Sequence, residues 1–233
     1  MTASTTHCWW SPFRELGNVE VLHVDLTPHA TREAFAFSWL DDVERSRWQK
    51  FEHPGARRRF LLCRAALRAI LCGALDCRNE MLTFGEHRHG KPFALVDQSP
   101  AYFSFNVSHS GDHGIIALAQ DGRLGVDIEE RTDRRDFDRL IDAAFGPNEQ
   151  ADLKLERARG EVHLFFKLWT VKEALIKALG TGLSLDPATF EAPEAMRRGA
   201  ISGTFRFPMV PAVQWQVEDI GNKDFAAALV YDV

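Results

Sequence analysis

The chain has 233 residues, 45% of them apolar and 26% charged, with a formal net charge of −5 at pH 7. That length supports one large domain or two small ones, and a core that needs no disulfide or structural metal, since folding hides roughly 70 to 75% of the extended-chain surface. The acidic balance excludes general binding to nucleic acid or to an anionic membrane.

Residues 1–20 contain no basic region followed by an apolar run, and the longest uninterrupted apolar segment, Phe225 to Tyr231, is too short to span a bilayer. Neither an export signal nor an anchor is expected. Cys8, Cys63, Cys72 and Cys77 form no C-x-x-C pair, so a reduced, cytoplasmic protein is expected. Val19 to Asp25 reads as a strand. From Asp41 to Leu75 the pattern is helical, with Phe60, Cys63, Leu67, Ile70 and Ala74 at three- and four-residue spacing. Arg57, Arg64 and Arg68 fall on the other side of that helix. His89-Gly90-Lys91-Pro92 is a turn. Tyr102 to Val107, Gly114 to Gln120 and Arg123 to Glu129 read as short strands joined by the turns Ser110-Gly111-Asp112 and Asp121-Gly122. A helix over Glu161 to Leu179 is closed by Gly180, and strands at Gln214 to Ile220 and Phe225 to Val233 flank Gly221-Asn222. The order strand, helix, strands thus occurs twice, and Arg64-Ala65-Ala66-Leu67 echoes Lys172-Glu173-Ala174-Leu175. An α+β protein of two similar halves, 1–110 and 111–233, packed face to face, follows.

Four constellations carry chemistry. In Gly125-Val126-Asp127-Ile128-Glu129, strand alternation puts Asp127 and Glu129 on one face, where adjacent carboxylates repel unless a cation separates them; magnesium suits such oxygen ligands. In Trp169-Thr170-Val171-Lys172-Glu173-Ala174-Leu175-Ile176-Lys177, the residues Phe166, Trp169, Glu173 and Lys177 share a helical stripe, so Glu173 and Lys177 either pair with each other or face a polar cleft. Phe105-Asn106-Val107-Ser108-His109-Ser110-Gly111 runs a strand into a turn able to hold phosphate. Between Arg45 and Arg68 stand eight basic side chains and one acid, Glu52. That imbalance points to a small phosphorylated ligand, because the guanidinium fork donates bidentately.

Together with Gly90-Lys91-Pro92, Phe165-Phe166-Lys167-Leu168 and Gly182-Leu183-Ser184-Leu185, these segments resemble the 4′-phosphopantetheinyl transferases of the surfactin-synthetase type over about Leu40 to Phe190. The resemblance implies a monomer whose two α/β halves are related by a pseudo-twofold axis with coenzyme A in the cleft between them. It also implies transfer of phosphopantetheine from coenzyme A to a serine of an acyl- or peptidyl-carrier protein, with release of adenosine 3′,5′-bisphosphate and a requirement for magnesium. Asp127, Glu129 and Glu173 would hold the ion, and Glu173 would take the serine's proton. Lys172 and Lys177 would stabilise phosphate oxygens. Ser108 and His109, with Arg59 and one or both of Arg45 and Arg47, would meet the 3′-phosphate, while Lys91 and Pro92 would border the adenine. Glu149 matches a further family acid. The chain departs from the family at Glu44, where members often carry a lysine. Arg131, Arg134, Arg135 and Arg139, with Phe137 and Leu140, offer a basic and apolar surface to an acidic carrier.

Overall fold

The structure, a computed structural model, describes residues 8–132 and 136–233. Strands β1 (Trp10–Leu16) and β2 (Val19–Asp25) form a hairpin, followed by helices α1 (Ala30–Trp39), α2 (Asp42–Gln49) and α3 (Pro54–Ala74). The single helix expected over Asp41 to Leu75 is two, because Pro54, which lacks an amide hydrogen, begins α3 and cannot continue the turn before it. A small antiparallel sheet of β3 (Leu82–Glu86), β4 (Pro92–Val96) and β5 (Ser99–Pro100) precedes the hairpin β6 (Ser104–Ser110) and β7 (His113–Ala119). Then come β8 (Leu124–Glu130), α4 (Phe137–Ala144), α5 (Pro147–Ala158), α6 (His163–Leu179), α7 (Glu194–Arg197), β9 (Ser202–Phe205), β10 (Trp215–Asp219) and β11 (Phe225–Asp232). Among the described residues no helix is long and apolar enough to cross a membrane.

Two four-stranded antiparallel sheets organise the molecule, β1-β2-β7-β6 and β8-β11-β10-β9. In each, the strand before the long helix pairs with the last strand of its half, and the penultimate strand lies beyond that. The order β2-β7-β6 therefore matches β8-β11-β10, which is the repeat expected from the chain. The division expected at residue 110 cuts the β6–β7 hairpin, whose second strand is hydrogen-bonded inside the first sheet. The halves meet instead at the turn of residues 120–123, between β7 and β8.

Helix α3 covers the first sheet with Phe60, Leu62, Cys63, Ala66 and Leu67, and α6 covers the second with Phe165, Leu168, Val171 and Leu175. A third apolar layer, with Val21, Ile115 and Ala117 from one sheet and Val126, Ile128, Ala227 and Leu229 from the other, joins the halves. The chain alternates along β8 so that Val126 and Ile128 fill this shared layer while Gly125, Asp127 and Glu129 face α6. Gly125 is needed there: a Cβ would stand 2.2 Å from the Ala174 carbonyl oxygen and 2.3 Å from the Ala178 nitrogen. The helix backbone thus lies directly on β8, bringing its polar stripe beside the strand's two acids.

Candidate active site

Helix α6 ends at Gly180, whose left-handed backbone (φ 77°) closes the last turn. Near that end Lys177 does not pair with its neighbour Glu173. Its Nζ donates to Asp127 Oδ1 at 2.6 Å, to Ser108 Oγ at 2.9 Å and to the Val126 carbonyl at 3.2 Å. The edges of β6 and β8 are stitched by side chains: the side-chain oxygen Oδ1 of Asn106 accepts from Val126 N at 2.9 Å, Ser108 Oγ donates to Asp127 Oδ1 at 2.7 Å, and Ser110 Oγ donates to Glu129 Oε2 at 2.7 Å.

Asp127 is 4% exposed, and its second oxygen, Oδ2, is buried without a hydrogen-bond partner. Burial raises its pKa, with Lys177 and Ser108 pulling the other way and Glu129 adding to the rise. Glu173 is also raised, first by burial, then by the charge of Asp127, with Lys177 opposing and Glu129 contributing. Two acids that feel each other this way, plus an orphaned carboxylate oxygen, are a donor set suited to a hard cation. The three carboxylates nevertheless do not converge as expected. Among the described residues no group of three or more His, Cys, Asp or Glu side chains is arranged to hold a metal ion. Lys177 and Ser108 draw one oxygen of Asp127, and Ser110 draws one of Glu129, to the β6 side.

Lys172 occupies a different place from the one expected. It is 1% exposed, on the enclosed side of α6, with Nζ 2.7 Å from Glu149 Oε2 and 2.9 Å from the Pro187 carbonyl, and in contact with the Phe190 carbonyl. Adjacent helical residues differ by about 100° in direction, so Lys172 and Glu173 cannot serve one cleft. Glu149, fully buried, also accepts from Gly146 N at 2.9 Å and Ala192 N at 2.7 Å. The pair ties α5 and the segment 187–192 to α6.

Beside the β6–β8 junction lies a cavity of about 220 Å³ lined by Arg47, Arg64, Pro92, Asn106 and His109 over a floor of Phe60, Cys63 and Leu67. Alternation along β6 separates the two residues expected on one phosphate: His109 reaches this cavity, whereas Ser108 turns to Asp127. Arg45 lies away from it, over Phe37 and 3.5 Å from Asp42. Arg59 is near enough to His109 to lower its pKa, behind partial enclosure as the main cause. Lys91 crosses between the halves, with Nζ donating to the Leu124 and Lys177 carbonyls at 2.8 and 2.9 Å.

Three of the eight basic side chains are taken up by internal partners. Arg68, 1% exposed, donates to Asp41, Glu44, Asn79 Oδ1 and the carbonyls of Asn79 and Leu82. Arg57 binds the Phe51 carbonyl, and Arg58 the Leu26 carbonyl and Asp112. Arg64, which sequence reasoning did not single out as a ligand group, lines the cavity; periodicity cannot distinguish it from its internal neighbours. On the expected carrier surface, Phe137 is a core residue packed edge-on against Phe165 and Phe166, Arg139 is exposed, and Arg134 and Arg135 lie outside the described residues.

Two family profiles meet at the boundary between the sheets. One, described as 4′-phosphopantetheinyl transferase, N-terminal, matches residues 25–121; the other, the 4′-phosphopantetheinyl transferase superfamily, matches 123–230. The chain belongs to the 4′-phosphopantetheinyl transferase superfamily. Among curated relatives, the protein slr0495 of Synechocystis sp. is 37% identical over 145 residues, 62% of this chain and 58% of that protein. The 4′-phosphopantetheinyl transferase HetI of Nostoc sp. is 32% identical over 145 residues, 62% of this chain and 61% of HetI. The 4′-phosphopantetheinyl transferase gsp of Aneurinibacillus migulanus is 29% identical over 174 residues, 74% of this chain and 70% of gsp. The chain therefore spans about three fifths of the length of the first two relatives. Within the superfamily match fall Asp127, Glu129, Glu149, Glu173 and Lys177; the cationic cavity falls within the N-terminal one.

Proposed function

We propose that the chain transfers the 4′-phosphopantetheine group of coenzyme A to a serine of an apo acyl- or peptidyl-carrier protein, releasing adenosine 3′,5′-bisphosphate, as a monomeric, cytoplasmic enzyme of the surfactin-synthetase type. The observation that carries this reading is the juxtaposition of Asp127, Glu173 and Lys177 with a cavity bearing two guanidinium groups and an imidazole. A diphosphate flanked by a 3′-phosphate needs both: cations for the terminal phosphate, and a mixed acid and ammonium site where the phosphoanhydride breaks.

The unpaired oxygen of Asp127, with Glu129 and Glu173 turning in from the separated positions described above, would hold magnesium, which supplies charge neutralisation on the diphosphate. His109, Arg47 and Arg59 would hold the 3′-phosphate, with Pro92 against the adenine. Lys177 exchanges Asp127 for a phosphate oxygen. Glu173, its pKa raised above the ordinary carboxylate value by burial and by the charge of Asp127, accepts the proton of the carrier serine as that oxygen attacks the β-phosphorus and the bond to adenosine 3′,5′-bisphosphate breaks. Lys172 has no part in phosphate contact, being committed to Glu149.

Incubation with coenzyme A, magnesium and a panel of apo carrier proteins should add phosphopantetheine to a serine, read by intact mass. Chelation should stop the transfer and added magnesium restore it. Glu173→Gln should lower kcat by roughly 10²- to 10⁴-fold, the range of general-base catalysis, with coenzyme A affinity little changed; full turnover in that variant removes Glu173 from the chemistry.

A further inference from the structure

The cavity holds a second guanidinium, that of Arg64, beside Arg47. Arg64 rises from α3 with its guanidinium 4.4 Å above Phe84 and 5.8 Å from Phe60. Its side chain is 16% exposed, and its one ionic contact is Glu44 Oε1 at 3.4 Å. Glu44, 6% exposed, points inward from α2 and spends its other oxygen on Arg68 Nη1 at 3.1 Å and on the Asp41 amide at 3.1 Å, so it orients Arg64 without entering the cavity. Glu44 Oε1 pairs with Arg64 by charge alone, and no hydrogen-bond acceptor holds the Arg64 guanidinium among the described residues. Across the cavity Arg47 lies 5.4 Å from the Phe60 ring centre and 4.0 Å from an exposed acid, Glu86. Two guanidinium groups sharing so small a space repel, and a dianion between them removes that repulsion while accepting from both.

We propose that Arg64, stacked on Phe84 and steered by Glu44, contacts the terminal phosphate monoester of the bound ligand and makes the protein selective for coenzyme A over its 3′-dephospho form. The inference rests on the coenzyme A reading above and adds to it a selectivity residue on α3, where the expected cations lay on α2 and at the start of α3.

Titration calorimetry of the full chain with coenzyme A and with 3′-dephospho-coenzyme A tests it. Arg64→Met keeps the stacked stem and removes the charge. It should weaken coenzyme A binding roughly ten- to hundredfold, the loss expected for charged hydrogen bonds, and change 3′-dephospho-coenzyme A binding less than about twofold. Arg64→Lys, which keeps charge but not the planar fork, should recover part of the selectivity. Unchanged selectivity in Arg64→Met, or equal loss for both ligands, overturns the proposal by reducing Arg64 to a structural role. Failure of the parent protein to bind coenzyme A at all overturns the function reading itself, and the inference with it.

Discussion

At the scale of single residues, the clearest separation is between two neighbours, Lys172 and Glu173. One is enclosed with Glu149 and the other faces the cleft. Burial lowers the pKa of Lys172 while the Glu149 charge opposes the change, so the pair stays together only because each satisfies the other. Glu149→Gln or Lys172→Met alone should cost about 3–5 kcal/mol in urea unfolding, because each leaves an uncompensated buried charge. The double variant should cost distinctly less than the sum. Additive losses would mean that the two groups do not sustain each other. Lys172 and Glu173 are both charged helical residues, and nothing in the sequence says which of them turns inward. Their different fates are decided by the loop of residues 187–192, whose carbonyls meet α6 on one side only.

At the scale of elements, the site depends on how closely α6 rests on β8. The absence of a side chain at Gly125 permits the helix backbone to touch the strand, which is what places Lys177 within reach of Asp127 and Ser108. Gly125→Ala should push the helix outward against backbone that cannot yield locally. We expect a loss of about 1–3 kcal/mol in stability, as for overpacked cores, and a loss of transfer activity larger than that fall in stability explains. Thermal unfolding and turnover measured on the same samples check both. A stable, fully active alanine variant would show that the helix tolerates the extra separation. The Asp127–Glu129 alternation and the α6 stripe were legible from period alone. The contact between them was not, since periodicity describes one element at a time.

At the scale of the whole molecule, the two halves are held by a shared apolar layer and by Lys91, whose ammonium reaches two carbonyls of the second half. Burial, with a contribution from Arg123 and against the pull of Asp232, lowers its pKa from 10.5 to about 8. The unfolded chain keeps this proton to higher pH than the folded chain does. Proton uptake therefore favours unfolding in that window, and the Lys91 contribution to stability rises as pH goes from about 8 to about 10.5. The Cys63 thiol, pushed up to about 12 by burial, acts in the opposite sense above pH 9, so the effect must be read as a difference. The stability of the parent relative to Lys91→Met should increase between pH 7.5 and 10 in guanidinium titrations; a flat difference would show that Lys91 titrates as if exposed.

The amino-acid sequence by itself determined the repeated strand–helix–strand order, the paired acids of β8, the Glu173–Lys177 stripe and the cationic run from Arg45 to Arg68, because each is written in local period or composition. Tertiary structure alone decided which of the eight clustered cations face a cavity and which are absorbed by carbonyls and carboxylates, where one half ends and the next begins, and that Ser108 joins Asp127 while His109 does not. Those outcomes depend on what stands across a gap from each side chain. Local spacing fixes the direction in which a residue points, and only the packed fold supplies the partner it meets there.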